Sequence, residues 1–171
     1  MTYSALDISR FVINYAIKKE TPISNLLLQK ILYYIQANFL VNKGEKCFNE
    51  EIINWEYGPV VIEVYDEFRS YGRNKIEDEQ TSYEKISFDS EKMELKVMKK
   101  EYNDSIIDEK SKKNIIEVVD NYTIKKYIDN PFNLVKKTHS EDPWKNSARN
   151  DVIEIEDIKR YYSKNNNKIF N

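Results

Sequence analysis

In residues 52–68 the spacing of apolar residues changes at a Gly-Pro pair, from the alternation of a strand to the spacing of a helix. This change constrains the fold more than any other feature of the chain. Before the pair, Ile53, Trp55 and Tyr57 alternate with polar residues, which is the pattern of a half-buried strand. After the pair, apolar residues recur at the spacing of one helix face: Val61, Val64, Tyr65 and Phe68. Proline at the first position of a helix gives up only an N–H that has no partner within the helix. Gly58-Pro59 therefore predicts a direct reversal from a strand into an amphipathic helix.

Residues 24–44 predict a helix that the rest of the fold encloses. Ser24 is a typical N-cap residue, and Gly44 is a typical left-handed terminator. Between them, apolar residues occupy nearly every face: Leu27, Leu28, Ile31, Leu32, Tyr34, Ile35, Phe39 and Leu40. A helix that is apolar on all sides is typical of the centre of a bundle.

The remaining periodic segments predict a mainly α fold, a single compact helical domain of about six helices with a small β element. A β-hairpin is expected near residues 84–98, because apolar and polar residues alternate on both sides of a polar turn at residues 89–92. Asp104 is the predicted N-cap of a later helix. We expect the domain to span residues 1–163 and residues 164–171 to form a flexible C-terminal tail.

Composition and charge narrow the class of protein. Of the 171 residues, 40% are hydrophobic and 33% are charged, and the net charge is only -2. Nucleic-acid binding usually requires a basic excess, so we expect no nucleic-acid partner. The single cysteine, Cys47, cannot form an internal disulfide, and the first residues do not form an export signal. We therefore expect a cytoplasmic protein without a membrane partner.

His139 and Glu141 are the residues that most invite a catalytic or metal-binding interpretation. His139 is the only histidine, and the sequence has no second ligand cluster of the His-Glu-x-x-His or Cys-x-x-Cys type. In the alternative interpretation, both side chains hydrogen-bond within a loop while Pro143-Trp144 docks into the core. Nucleophile, phosphate-binding and dinucleotide-binding motifs are also absent from the sequence. We expect no catalytic residue, no metal and no cofactor.

Three motifs, in this order along the chain, are similar to those of a known family. They are Leu28-Gln29-Lys30-Ile31-Leu32-Tyr33-Tyr34, Trp55-Glu56-Tyr57-Gly58-Pro59-Val60 and Thr138-His139-x-Glu141-x-Pro143-Trp144. Together they resemble the Panacea domain, also called the SocA-like antitoxin domain or the GepA phage-associated protein family. The resemblance implies an antitoxin without enzymatic activity. We expect the motif residues to be mainly structural, with Trp55 and Trp144 buried.

The resemblance implies a protein that neutralises a co-encoded toxin by direct protein–protein binding, from a prophage or mobile element. The alternatives are a proteolytic adaptor that delivers its toxin to a protease, a phage accessory protein that blocks a host factor, and a metal-dependent enzyme that uses His139 and Glu141. A fold shared by neutralisers of unrelated toxins requires variable surface for specificity. We expect that surface in the loop and hairpin of residues 73–103 and at exposed aromatic or basic positions, with Tyr71, Arg73 and Tyr83 as candidate partner-binding residues.

Overall fold

The structure, a computed structural model, describes residues 2–89, 93–164 and 169–170. Within these ranges it contains eight α-helices: α1 (Ala5–Lys18), α2 (Asn25–Asn42), α3 (Ile62–Phe68), α4 (Glu109–Tyr122), α5 (Lys125–Ile128), α6 (Phe132–His139), α7 (Asp142–Asn146) and α8 (Ile155–Tyr162). The same ranges contain four strands in two separate antiparallel hairpins: β1 (Ile53–Trp55) with β2 (Gly58–Val60), and β3 (Ser82–Asp89) with β4 (Glu94–Glu101). The predicted mainly α fold and the hairpin near residues 84–98 are confirmed. The short helices α5 and α7 bring the number above the predicted six.

Helix α2 lies at the centre of the molecule, as its sequence predicts. The Ser24 hydroxyl caps it by accepting a hydrogen bond from the Leu27 N–H at 3.3 Å. Gly44, with a φ of +72°, follows its last turn. Helices α1, α3, α4, α6 and α8 and strand β2 all pack against α2. Every residue of α2 from Leu27 to Leu40 is therefore buried, polar and apolar alike.

Aromatic rings fill the space between α2, α4 and α8. The ring of Tyr34 stacks on that of Tyr122 with 4.4 Å between centroids, and Tyr33 meets Tyr34 edge-on at 5.2 Å. Tyr162 of α8 packs edge-on against both Tyr33 and Tyr34. Such pairs contribute about 0.5–1.5 kcal/mol each beyond the burial of their area. The aromatic cluster therefore fixes α2 relative to the two helices beside it.

The single cysteine lies in the loop that follows α2. Cys47 is a free, fully buried thiol. Its backbone N–H donates to the Oε1 atom of Gln36 at 2.8 Å, and its carbonyl accepts from the Tyr3 N–H at 2.8 Å. Burial raises the pKa of the thiol well above its usual range. The thiol is therefore protonated and unreactive in the folded protein.

Pro59 lies in strand β2 and not at the start of a helix, which corrects the sequence prediction. Its partner in the antiparallel register is Asn54. The Asn54 N–H donates to the Asp151 carbonyl at 2.9 Å, and the Asn54 carbonyl accepts from the Asn150 N–H at 2.7 Å. Both backbone groups of Asn54 therefore point away from β2. Pro59 occupies a ladder position without hydrogen bonds, where a missing N–H costs nothing.

Two further details of the sequence prediction are wrong. The buried residues of the extended segment are Ile52 and Asn54, whereas Tyr57 is 54% exposed, because β1 turns its other face to the core. Asp104 belongs to a short 3-10 turn, and the cap of α4 is Asp108, whose carboxylate accepts from the Ser111 N–H at 2.9 Å. Hydrophobic spacing locates a helix more accurately than it locates the ends.

The β3–β4 hairpin is held to the domain near its open end. The guanidinium of Arg10 lies 4.3 Å from the centre of the Tyr83 ring, and the Tyr102 hydroxyl donates to the Asp7 carbonyl at 3.0 Å. Every residue of β4 is exposed. The turn predicted at residues 89–92 falls largely on residues 90–92, which lie outside the described residues.

The predicted flexible tail falls partly outside the described residues. Ile169 is buried, and its carbonyl accepts a hydrogen bond from the Tyr122 hydroxyl. Phe170 packs against the same core. The flexibility of residues 164–171 stays a prediction.

Candidate functional site

The three sequence motifs meet where the β1–β2 hairpin crosses α2. Lys30 is fully buried there, and its ammonium nitrogen donates to the Pro59 carbonyl at 2.9 Å. Burial lowers the pKa of Lys30 to about 7. Gly58 has a φ of +98°, and a Cβ atom there would stand 2.7 Å from Cε of Lys30 and 2.8 Å from Oγ1 of Thr138. Only glycine fits between these two side chains.

Gln29 ties the start of α3 to the central helix. Its Oε1 atom accepts from the Val61 N–H at 2.9 Å, and its Nε2 atom donates to Oδ1 of Asn25 at 3.0 Å. The neighbouring Val60 is buried beside it. Val61 is the N-cap residue of α3, so this bond satisfies its backbone N–H and fixes the start of that helix against α2. Gln29 and Val60 thus have structural roles in the described contacts.

Glu141 is a buried carboxylate whose two oxygens are already engaged. One oxygen accepts from the Tyr34 hydroxyl at 3.0 Å and from the Lys137 ammonium at 2.9 Å. The other accepts from the Tyr162 hydroxyl at 2.7 Å. Burial, more than the nearby Glu141 charge, raises the pKa of Tyr34 well above its usual range. The carboxylate therefore links α2, α6 and α8 in this structure.

His139 lies in an aromatic stack and not in a ligand cluster. Its ring is parallel to that of Trp144, with 3.8 Å between centroids. Burial, and then the charge of Lys30, lowers the pKa of His139 below its usual value. Among the described residues, no group of three or more His, Cys, Asp or Glu side chains is placed to hold a metal ion.

Trp55 and Trp144 are half-buried, which corrects the expectation that both are enclosed in the core. The Trp144 indole N–H donates to the Trp55 carbonyl at 3.2 Å, so Trp144 braces the hairpin from one side. Pro143, by contrast, is buried. Each tryptophan therefore keeps part of its ring at the surface.

Asn54 is the structural residue that sequence reasoning missed. Its side-chain N–H₂ donates to the Trp144 carbonyl at 2.7 Å and to the Ser147 carbonyl at 2.9 Å. Its backbone joins residues 150–151, as described above. The only signal in the sequence was a polar residue between two strongly β-forming ones, and this pattern is equally typical of a solvent-facing position.

A solvent-open cleft of about 400 Å³ lies beside the β1–β2 hairpin. The start of α2, the hairpin, the α3 segment and the loop at residues 149–150 form its walls. Its lining includes Asn25, Leu26, Gln29, Trp55, Glu56, Tyr57, Val60, Tyr65, Arg69, Gly72, Arg149 and Asn150. Sequence reasoning missed this cleft, because it assigned the hairpin motif to the core alone.

The three candidate partner-binding residues differ in their exposure to solvent and in their contacts within the protein. Arg73 is exposed. Tyr71 is half-buried, and its hydroxyl donates to Asp78 at 2.8 Å. Tyr83 is half-buried beneath the Arg10 guanidinium. Their role in partner binding stays a prediction.

The described contacts define a mainly α domain in which three motifs build one packed junction. The chain belongs to the family described as "Antitoxin SocA-like, Panacea domain", whose model matches residues 28–145. This family supports an antitoxin role. The chain is also similar to "Antitoxin SocA" of Caulobacter vibrioides, with 38% identity over 69 residues, which cover 40% of this chain and 37% of the relative. The alignment thus spans little more than a third of the curated relative's length.

No solved structure matches the chain. In the part of the chain that the structure describes, none of the helices has the length and apolar character needed to cross a membrane.

Proposed function

We propose that this protein is an antitoxin that neutralises a co-encoded toxin by binding it directly, without catalysis, in the cytoplasm. Membership of the SocA-like antitoxin family carries the proposal. The engagement of Lys30 and Glu141 in internal hydrogen bonds supports it, and the His139 ring stacks on Trp144. We infer that the gene lies next to the toxin gene on a prophage or mobile element.

The β3–β4 hairpin is the proposed determinant of toxin specificity. Leu95 and Val97, two positions apart on β4, are 71% and 57% exposed. Exposed apolar side chains on a strand with a free edge favour association with another protein. Tyr71, Arg73 and Tyr83 lie N-terminal to β4 in the sequence. Tyrosine and arginine are residue types that are common in binding hot spots. The near-neutral net charge predicts that affinity depends only modestly on salt.

Co-expression with each adjacent gene product tests the proposal. We expect one neighbour to stop growth when expressed alone, and this protein to restore growth and to co-purify with that neighbour. A protein whose neighbours are all harmless, and none of which co-purifies, is not an antitoxin of this kind. Rescue without co-purification would contradict direct binding.

A trimmed hairpin tests the specificity determinant separately. Lys85 and Met98 are partners in the register at a hydrogen-bonded position, so an Asn-Gly pair can replace residues 86–97 and close the hairpin. We expect this variant to fold but to lose co-purification and rescue. The double variant Leu95→Asn, Val97→Asn should weaken binding, whereas Ile124→Asn, at a position 48% exposed outside the hairpin, is the matched control. Full rescue by the folded trimmed protein would assign specificity to another surface.

A further inference from the structure

The interior of the cleft beside the β1–β2 hairpin offers apolar and aromatic surface. The rings of Trp55 and Tyr65 meet edge-to-face, with 5.0 Å between centroids. The amide groups at its floor are engaged within the protein: the Asn25 side chain donates to the Tyr65 carbonyl at 3.1 Å, and the Gln29 side chain bonds both Asn25 and Val61. An occupant of the interior therefore gains most by burying an apolar group.

The lining of the cleft also carries two guanidinium groups, from Arg69 after α3 and from Arg149 in the loop at residues 149–150. Arg69 is paired with Asp66 at 3.3 Å, and Arg149 is paired with Glu56 at 3.0 Å. All four side chains are more than half exposed. Exposed ion pairs of this kind are weak, so an incoming carboxylate can replace Asp66 or Glu56 as the partner of an arginine.

An aromatic shelf continues the cleft along the surface. Tyr57 lines the cleft and is 54% exposed, and its ring meets the 50% exposed ring of Phe132 edge-on, with 6.0 Å between centroids. Tryptophan, tyrosine and arginine are the residue types enriched in binding hot spots. A volume of about 400 Å³ also lies within the range of pockets that enclose a ligand group.

We propose that this cleft binds an acidic peptide segment of a partner protein. The segment places one large apolar side chain against the rings of Trp55 and Tyr65, and a carboxylate next to that side chain bonds Arg69 or Arg149. The aromatic shelf of Tyr57 and Phe132 supports the adjoining part of the segment. This site goes beyond the proposed toxin recognition by the β3–β4 hairpin, because it lies on different elements and has its own ligand chemistry.

The two tryptophans of the chain make the site directly observable by NMR. In ¹⁵N-labelled protein, each indole N–H gives one signal, and the variants Trp55→Phe and Trp144→Phe assign them. The probe is an acetylated and amidated pentapeptide with a central phenylalanine flanked by glutamates. Two comparison peptides carry alanine at the centre, or glutamine in place of glutamate.

We expect the phenylalanine–glutamate peptide to move the Trp55 signal saturably at concentrations up to about 2 mM, the range of a short peptide that occupies one pocket. Both comparison peptides, the double variant Arg69→Gln, Arg149→Gln and the variant Tyr65→Ala should bind at least about fivefold more weakly, because each lacks one of the two proposed interactions. Arg160→Gln, which removes an exposed arginine paired with Asp157 outside the cleft, is the matched control and should bind normally. No saturable movement of either signal, or equal responses to all three peptides, would overturn the proposal.

This titration uses the protein alone. Its failure would leave toxin pairing untouched, and a failure of the growth-rescue experiment would leave the peptide site untouched. The two proposals are therefore tested independently.

Discussion

Both hairpins are antiparallel, but β2 of the first is buried in the core whereas β4 of the second is exposed to solvent. The β1–β2 hairpin has three residues in each strand, and all three residues of β2 are buried. The β3–β4 hairpin has eight residues in each strand, and every residue of β4 is exposed. The short hairpin is fixed from both sides by α2 and by the segment around Trp144, whereas the long one is anchored near its open end. A change in the first therefore alters stability, and a change in the second alters mainly the surface available to partners.

The largest expected effect that tests this contrast is Gly58→Ala. The substitution combines a positive φ with a Cβ position 2.7 Å from Cε of Lys30. Backbone strain and overpacking together predict a loss of about 3–5 kcal/mol in the free energy of unfolding. Chemical denaturation measures it. The control is Gly44→Ala, which also has a positive φ but no atom of the described residues within 4 Å of the new Cβ, and it should cost only about 1–2 kcal/mol. Equal losses would mean that the fit against Lys30 is not tight.

Asn54→Ala should have the next largest effect. The substitution leaves the Trp144 carbonyl without the donor that now lies 2.7 Å away, in a part-buried setting. Loss of such a partner predicts a decrease of about 1–3 kcal/mol in the free energy of unfolding. Thermal melts of Asn54→Ala and of Asn146→Ala, at an exposed position of α7, provide the comparison. A similar melting temperature for both variants would show that Asn54 does not hold the β1–β2 hairpin.

The variant Lys30→Met tests how burial of the Lys30 amine, where the β1–β2 hairpin crosses α2, makes the free energy of unfolding depend on pH. The pKa of Lys30 is about 7 in the folded protein and 10.5 as its ordinary value, so the unfolded chain binds more protons between these values. Stability should therefore rise with pH from about 7 to about 10, by at most about 1.4 kcal/mol per pH unit. The rise should be absent in Lys30→Met and retained in Lys113→Met, at an exposed position of α4.

Above about pH 10 both proteins should lose stability. Burial raises the pKa of Tyr33 and Tyr162 well above the ordinary value of 10.0, so these hydroxyls stay protonated in the folded state and ionise on unfolding. Denaturation curves at a series of pH values measure both the rise in stability below about pH 10 and the loss above it. A rise that persists in Lys30→Met would assign it to another group.

The smallest expected effect is that of the trimmed hairpin on stability. Replacing residues 86–97 by Asn-Gly keeps the contacts of Tyr83 and Tyr102 with the domain. The β4 side chains that this removes are exposed, so we expect a change within about 0.5 kcal/mol. A cooperative melt at an unchanged temperature confirms the expectation, and a large loss would show that the two hairpins differ less than their burial indicates.

Sequence reasoning succeeded where a local signal decides the structure. Ser24 and Gly44 mark the ends of α2, and alternation marks the long hairpin, because caps and residue period act within one element. It failed for Pro59 and Asn54, whose environment depends on the distant residues 150–151. Lys30 was also unpredictable as a buried cation, because lysine is normally exposed and its acceptor, the Pro59 carbonyl, comes from another element. The cleft was missed for the same reason: its walls come from four separate segments.

Alkylation of the buried Cys47 thiol can report how often the structure around it opens. An alkylating reagent needs the thiolate, which forms only after the loop separates from Gln36 and Tyr3. Because the chain has one cysteine, each modification event reports one place in the molecule. The rate of alkylation under native conditions thus measures the free energy of local opening beside α2, and a partner that binds over this region would slow it.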